Sequence, residues 1–217
     1  MRKIVAAVTG ALVLAASWAV SAQESAKPTS PKAKSSHEAM AKGGAKSDAA
    51  TVAKALSAAP PEIRKNATVV AAGSDGQMKQ LRAGTNGWVC MLGPGGDPMC
   101  LDKEWQAWGD AWMNKKDPPQ PKTVGIAYML KGDHGASNTD PYATKPTPDN
   151  QWVVSGPHIM ILPTDRSQLD AYPTDPNTGG PWVMWKGTKY AHLMVPVAAM
   201  PKAEASAKSA TKTSTGQ

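Results

Sequence analysis

Residues 101–116 read LDKEWQAWGDAWMNKK and predict the one long helix of the fold. Asp102 suits the N-cap, the lysines at 115–116 suit the negative end of the helix dipole, and the prolines at 118–119 stop the helix. An apolar stripe with i, i+4, i+7, i+11 spacing runs along one face and comprises Leu101, Trp105, Trp108 and Trp112. Because the chain has no Phe, we expect these indoles to fill a core between the helix and a sheet. A groove lined by indoles is the alternative.

Short strand patterns lie on both sides of this helix. Turn signals such as Asp75-Gly76 and Gly156-Pro157 separate them. The predicted strands cover 67–72, 78–83, 88–92, 123–130, 151–155, 158–162, 182–186 and 190–197. The sequence therefore predicts an α+β domain, in which a small antiparallel sheet of short strands packs against one Trp-rich helix.

The N-terminus has the three parts of a secretory signal peptide. Arg2 and Lys3 precede an apolar stretch over 4–20, and small residues at 20–22 permit cleavage before Gln23. The apolar stretch is short for a membrane-spanning helix, and no stop-transfer charges follow it. We therefore expect residues 1–22 to be removed, and the mature bacterial protein to be periplasmic or secreted. A membrane anchor is the alternative.

Two flanks have a low-complexity composition. Residues 23–58 and 201–217 are rich in Ala, Lys and Ser and contain few branched aliphatic side chains. Such segments cannot bury enough apolar surface to offset their chain entropy. We expect both to be disordered, which leaves residues 59–200 as a single folded domain.

The positive charge of the chain lies outside the predicted domain. The net charge is +7, but the segment 57–200 contains equal numbers of basic and acidic residues. A surface that recognises nucleic acid needs clustered Lys and Arg on a folded part of the protein. Specific binding to DNA or RNA is therefore not expected.

Cys90 and Cys100 are the only cysteines, and nine residues lie between them. In an oxidising compartment such a pair usually forms a disulfide. A redox dithiol or a zinc site would need a C-x-x-C spacing or further ligands nearby, and neither is present. We expect a structural Cys90–Cys100 disulfide.

Two H-x-M pairs carry the most distinctive chemistry in the chain. His158 and Met160, like His192 and Met194, are spaced to share one face of a strand. If the two strands are neighbours, two imidazoles and two thioethers could converge in a soft ligand set suited to copper, especially Cu(I). Packing in the core is the alternative, because Met fills irregular cores and a buried His can be satisfied there.

A copper site makes two further demands. The ion needs an opening, and each imidazole needs a partner that holds its other nitrogen. Asp140 and Asp175, which precede the two strands, are the candidates for that second role. A His/Met face that lies under the Trp-rich helix with no access for the ion would exclude the site.

Two long polar loops, 131–150 and 173–181, offer the most room for a ligand. We expect an exported, non-enzymatic module that binds a ligand or an envelope partner through these loops. An exposed indole, such as Trp152 or Trp182, would stack on a glycan or a peptide there.

A hydrolase is the alternative function. Asp133, His134 and Ser137 supply an acid, a base and a nucleophile close together in the longer loop. Catalytic triads are assembled in space from separate elements, however, and no G-x-S-x-G motif occurs. This reading requires the three side chains to converge in a cleft.

Four segments spread over most of the predicted domain carry a resemblance. They are GTNGWVC at 84–90, PMCLD at 98–102, GPHIM at 156–160 and YAHLM at 190–194. In these segments the chain resembles a group of uncharacterised exported bacterial proteins. The resemblance implies a shared fold and no particular chemistry.

Overall fold

A computed structural model describes residues 47–73 and 75–199. The predicted signal peptide, the segment 23–46 and the tail 201–217 lie outside the described residues. In the described part of the chain, no helix is long and apolar enough to cross a membrane.

Ten strands form two sheets among the described residues. In chain order they are β1 Thr68–Ala72, β2 Met78–Arg82, β3 Val89–Leu92, β4 Pro98–Leu101, β5 Gly125–Met129, β6 Ala136–Ser137, β7 Trp152–Val153, β8 His158–Leu162, β9 Trp182–Met184 and β10 His192–Pro196. Eight of them form one sheet in the order β2-β1-β3-β4-β5-β8-β10-β9, and β6 pairs with β7.

Helices accompany these strands, so the α+β class is confirmed. Helix α1 covers residues 47–56, α2 is Pro61–Lys65 and α3 is Lys103–Met113. Two short 3-10 helices, Arg166–Ala171 and Pro176–Thr178, lie between β8 and β9.

The sheet differs from the prediction in size and in direction. Eight strands make it larger than the small sheet expected, and the parallel pairing of β1 with β3 makes it mixed. Strand β4 is not among the predicted strands, because a stretch rich in Gly and Pro leads directly into it. Its backbone pairs with β3 on one side and β5 on the other, and these contacts outweigh the local turn signals.

Helix α3 begins as predicted. The Asp102 side chain accepts a hydrogen bond from the amide of Trp105 (2.9 Å) and another from the amide of Ile126 on β5 (2.5 Å). One carboxylate therefore caps the helix and fixes it to the sheet. The helix ends at Met113, three residues earlier than predicted, and Lys115 adopts a left-handed backbone (φ 57°) just beyond it.

The predicted start of the folded part at residue 59 is wrong, because residues 47–56 are helical and 58 is buried. Ala55 and Ala58 pack in a core cluster with Val69 and the two cysteines. The carbonyl of Ala58 also accepts a hydrogen bond from the amide of Leu130 (3.0 Å). Branched side chains are not needed here, because alanines let the backbone approach the disulfide closely.

Different helices pack on the two faces of the large sheet. Helix α3 covers one face, where its Trp105 and Trp108 pack with Ala127, Met160 and Met194. The opposite face packs against α1 near the disulfide. Leu169 of the first 3-10 helix covers that same face near β9 and β10.

Cys90 and Cys100 face each other across β3 and β4 and form the predicted disulfide, with an S–S distance of 2.00 Å. Replacing both with Ala should lower the free energy of unfolding by about 2–3 kcal/mol, because the cross-link no longer restricts the unfolded chain. Urea unfolding of the variant, beside wild-type protein with and without reductant, measures this. Equal midpoints for all three samples would contradict the prediction.

Candidate functional site

Four aromatic rings lie nearly parallel in a row from the core to the surface. In order they are Trp108, Trp185, Trp112 and Tyr142, called the aromatic column below. Successive ring centroids are 5.9, 6.4 and 5.9 Å apart, and successive planes differ by 6°, 8° and 6°. Trp108 is buried, Trp185 and Trp112 are half-buried, and Tyr142 is 40% exposed. The column therefore brings a continuous aromatic surface out to solvent.

Hydrogen bonds hold the longer polar loop against this column. The indole of Trp112 donates to the carbonyl of Pro141 (3.2 Å), and that of Trp185 donates to the carbonyl of Ser137 (2.7 Å). In return, the hydroxyl of Tyr142 lies 3.1 Å from the carbonyl oxygen of Trp112. The loop thus supplies the outermost ring, while α3 and the end of β9 supply the others.

A tyrosine pair and two lysines surround the outer end of the column. The hydroxyls of Tyr142 and Tyr190 are 2.9 Å apart. Desolvation and this hydrogen bond raise the pKa of Tyr142 to about 12, so the ring stays neutral. The ammonium groups of Lys115 and Lys189 lie 5.3 and 5.4 Å from the ring centres of Tyr142 and Tyr190, within range of cation–π attraction.

Backbone strain concentrates beside the same column. In the described chain, the residues other than Gly with positive φ are Lys115 (57°), Gln151 (44°) and Trp185 (58°). Lys115 lies over Tyr142, and Trp185 belongs to the column. Gln151 is linked to it through Asn138, whose amide donates to Gln151 and whose carbonyl accepts from Trp185. Such conformations cost energy and tend to cluster at functional sites.

Asn138 joins the two polar loops. Its side chain is buried and donates to the carbonyl of Thr174 (2.9 Å) and to the side-chain oxygen of Gln151 (3.1 Å). Its own side-chain oxygen accepts the indole N–H of Trp182 (3.2 Å). One buried amide therefore ties loop 131–150 to loop 173–181, and the two loops lie together.

The two indoles named from the sequence as ligand contacts differ in their exposure. Trp182 is fully buried, so the prediction that it stacks on a ligand is wrong. Trp152 on β7 is half-buried against loop 131–150, where a Cβ on Gly135 would come within 2.0 Å of the indole nitrogen. The rings of the column that reach the surface are Tyr142, Trp112 and Trp185. Only Trp112, the last member of the helical stripe near the helix end, carried a signal in the sequence.

The residues of the hydrolase hypothesis do not converge. Burial raises the pKa of the Asp133 carboxyl, and backbone amides occupy one of its oxygens. Each of the three side chains bonds to a different partner: Asp133 to the amides of Gly135 and Ser155, His134 to the carboxylate of Asp97, and Ser137 to the carbonyl of Asn150. The structure shows no acid–base–nucleophile arrangement among them.

Strands β8 and β10 are antiparallel neighbours, as the copper hypothesis required, and Met160 lies directly opposite Met194. Because the strands run in opposite directions, the two histidines fall at opposite ends of this pair. His158 lies opposite Pro196, four positions from His192 along the strands. At about 3.3 Å per residue, the backbone positions of the two histidines are about 13 Å apart along the strands. The register therefore does not favour a site in which all four side chains bind one ion.

The His/Met face is also covered, contrary to the requirement for an opening. All four side chains are buried. The His192 ring lies edge-on to Trp105 (5.2 Å between centroids), to Trp108 (5.7 Å) and to Trp185 (5.0 Å). Of these three rings only Trp185 is half-buried rather than buried.

Backbone carbonyls hold the histidines. The Nδ1 atoms of His158 and His192 lie 2.7 and 3.0 Å from the carbonyl oxygens of Gly156 and Tyr190. Burial lowers the pKa of both imidazoles, that of His192 to about 4. In each case Nε2 is buried and has no hydrogen-bond partner among the described residues.

The predicted second partners of the imidazoles do not contact them. The carboxylate of Asp140 accepts the amide of Tyr142 (2.8 Å), and that of Asp175 accepts the amide of Asn177 (2.9 Å). Each carboxylate therefore stabilises a turn in its own loop. The imidazoles are held instead by the carbonyls of Gly156 and Tyr190. Each of these residues lies two positions before its histidine, so the local chain geometry orients the imidazoles.

No match to this chain is found among protein-family models, curated proteins or solved structures. Function must therefore be inferred from the side chains themselves. In the described residues, no group of three or more His, Cys, Asp or Glu side chains is placed to hold a metal ion. The aromatic column is the feature that combines a surface opening, a long loop and strained backbone.

Proposed function

We propose that the protein is an exported, non-enzymatic module that binds a saccharide ring of an envelope polysaccharide at the outer end of the aromatic column. The observation that carries this proposal is the row of parallel rings that reaches the surface at Tyr142. The apolar C–H face of a sugar packs on a flat aromatic ring, while its hydroxyls point sideways to polar groups. Tyr142 offers such a ring at the surface.

The surroundings of Tyr142 suit the polar edge of a sugar. Residues 144–149 of the same loop are exposed and include lysine, threonine and aspartate side chains. Lys115 adds an exposed ammonium over the ring, 5.3 Å from its centre. Asn138 joins the second loop to the first, so polar groups from both loops can border one ligand. A few well-placed polar groups around an apolar surface are typical of binding sites.

Export is part of the proposal and rests on two observations. The Cys90–Cys100 disulfide fits an oxidising compartment, and the first 22 residues have the pattern of a signal peptide. The resemblance to exported bacterial proteins points the same way. A periplasmic or secreted protein meets envelope polysaccharides directly, which makes them the natural class of ligand.

Replacing Tyr142 with Ala should weaken saccharide binding at least about tenfold, which corresponds to about 1.4 kcal/mol of lost stacking. Trp112 lies next to Tyr142, and Trp185 lies next to Trp112, so intrinsic fluorescence should report binding at Tyr142. The titrants are soluble peptidoglycan fragments and oligosaccharides released from lipopolysaccharide. Tyr142→Phe should keep most of the affinity, because it keeps the ring.

Tyr172 provides the matched control. Its side chain is 39% exposed, as Tyr142 is, but it follows the first 3-10 helix and has no place in the column. Tyr172→Ala should therefore bind like the wild type. Equal affinity of the two Ala variants, or no fluorescence change with any saccharide, would refute the proposed function.

A further inference from the structure

Two thioethers lie side by side at the centre of the buried His/Met face. Met160 and Met194 are directly opposite each other on β8 and β10. Opposite residues of an antiparallel pair have Cβ atoms about 5 Å apart, so both sulfur atoms can reach one point. Both side chains are buried beneath α3. The sheet therefore presents a pair of soft donor atoms in an apolar environment.

An imidazole projects from the same face of the sheet as this pair, two residues away along β10. His192 precedes Met194 by two residues on β10, so it projects from the same face of the sheet. Its Nδ1 is held by the carbonyl of Tyr190, which leaves the lone pair on Nε2. That atom is buried without a hydrogen-bond partner in the described chain. An unpaired buried acceptor is unfavourable, so a ligand that takes the lone pair would stabilise the fold.

We propose that His192, Met160 and Met194 together form a site for one Cu(I) ion. An imidazole with two thioethers is a soft donor set, which favours Cu(I) over zinc or over hard cations such as Mg²⁺. The indoles of Trp105 and Trp108 cover the imidazole and exclude water, which protects the reduced ion. This site is distinct from the saccharide site, but both sites border the ring of Trp185.

His192 rather than His158 completes the set. Both imidazoles have an unpaired Nε2, but they lie at opposite ends of the methionine pair. His192 is covered on one side by Trp185, whose ring is half-buried and whose backbone is strained. Displacement of this single ring would open a path for the ion. His158 is fully buried, and its ring has no half-buried aromatic neighbour recorded among the described residues.

The test is an anaerobic titration of the full, disulfide-bonded protein with Cu(I), in competition with a chromophoric Cu(I) chelator. Wild type should bind one ion, and His192→Gln should weaken binding more than about tenfold. The matched His158→Gln variant should bind like wild type. X-ray absorption at the copper edge should show one nitrogen and two sulfur ligands.

Methionine variants test the site where His192→Gln fails to fold. Met160→Leu and Met194→Leu nearly conserve the side-chain volume and should fold. Each should lose the tight site. Met184 lies opposite His192 on β9, and Met184→Leu should keep the tight site. A double variant in which the exposed Met78 and Met113 are both replaced by Leu should also keep it.

Several results would overturn the assignment. These are wild-type affinity in Met160→Leu or Met194→Leu, and loss of binding in His158→Gln while His192→Gln retains it. Dependence on Met184, or on the exposed Met78 and Met113, would also overturn it. So would a wild-type protein that takes no Cu(I) from the chelator.

Discussion

Gly84→Ala should lower the free energy of unfolding by about 3 kcal/mol or more, the largest effect expected from a single added methyl group. A Cβ at this position would lie 2.2 Å from the amide nitrogen of Thr68, 2.3 Å from the carbonyl carbon of Ala67 and 2.5 Å from the carbonyl oxygen of Asn66. All three are backbone atoms, so no rotamer change can relieve the contact. Relief would require the chain before β1 to move away from the segment before β3.

Gly87 gives the matched control three residues later in the same turn. It has a positive φ of 79°, and an added Cβ would meet nothing within 4 Å. Gly87→Ala should therefore cost only the backbone strain, about 1–2 kcal/mol. Urea unfolding of the two variants separates crowding from strain. Equal destabilisation of the two variants would show that a Cβ at position 84 does not clash with the backbone before β1.

Asn138→Ala should lower the free energy of unfolding by about 3–4 kcal/mol. The variant would leave the indole N–H of Trp182 and the carbonyl of Thr174 without their partner, and each orphaned buried group costs about 1–3 kcal/mol. Near-ultraviolet circular dichroism should also change, because Trp182 is fully buried. Loss of Asn138 should loosen both polar loops and, through them, the saccharide site.

Asn177 serves as the control for this substitution. It is exposed, and its side chain bonds only within its own turn, to Asp175 (2.9 Å). Asn177→Ala should cost less than about 1 kcal/mol. Thermal and urea unfolding of the two variants measure the difference. A variant at 138 as stable as the variant at 177 would contradict the central role of Asn138.

Local features of this protein followed from local sequence. The cap at Asp102, the helix that follows it and the shared face of Trp105 and Trp108 were predictable from residue types and spacing within a few turns of chain. The pairing of the two cysteines likewise followed from their number and spacing. Strand positions were close to those predicted because alternation and turn residues act over a few residues. Such signals survive into the structure because tertiary contacts reinforce them.

Other features arose from contacts between distant segments. The sequence placed His158 and His192 on strands, but the antiparallel register set them at opposite ends of the methionine pair. Helix α1 was missed because its alanines gain stability only against the disulfide, which lies far along the chain. β4 is a strand because its neighbours supply hydrogen-bond partners.

The aromatic column shows this division most clearly. The sequence by itself determined that Trp108 and Trp112 share one face of a helix, because their spacing is one turn. Only the tertiary structure decided that Trp185 and Tyr142, from two loops distant in sequence, lie parallel to them. Side-chain periodicity fixes which face a residue takes, whereas register, loop docking and backbone strain depend on long-range packing. The candidate saccharide surface therefore depends on the tertiary structure. Only the part that α3 contributes, Trp108 and Trp112, could be predicted from the sequence.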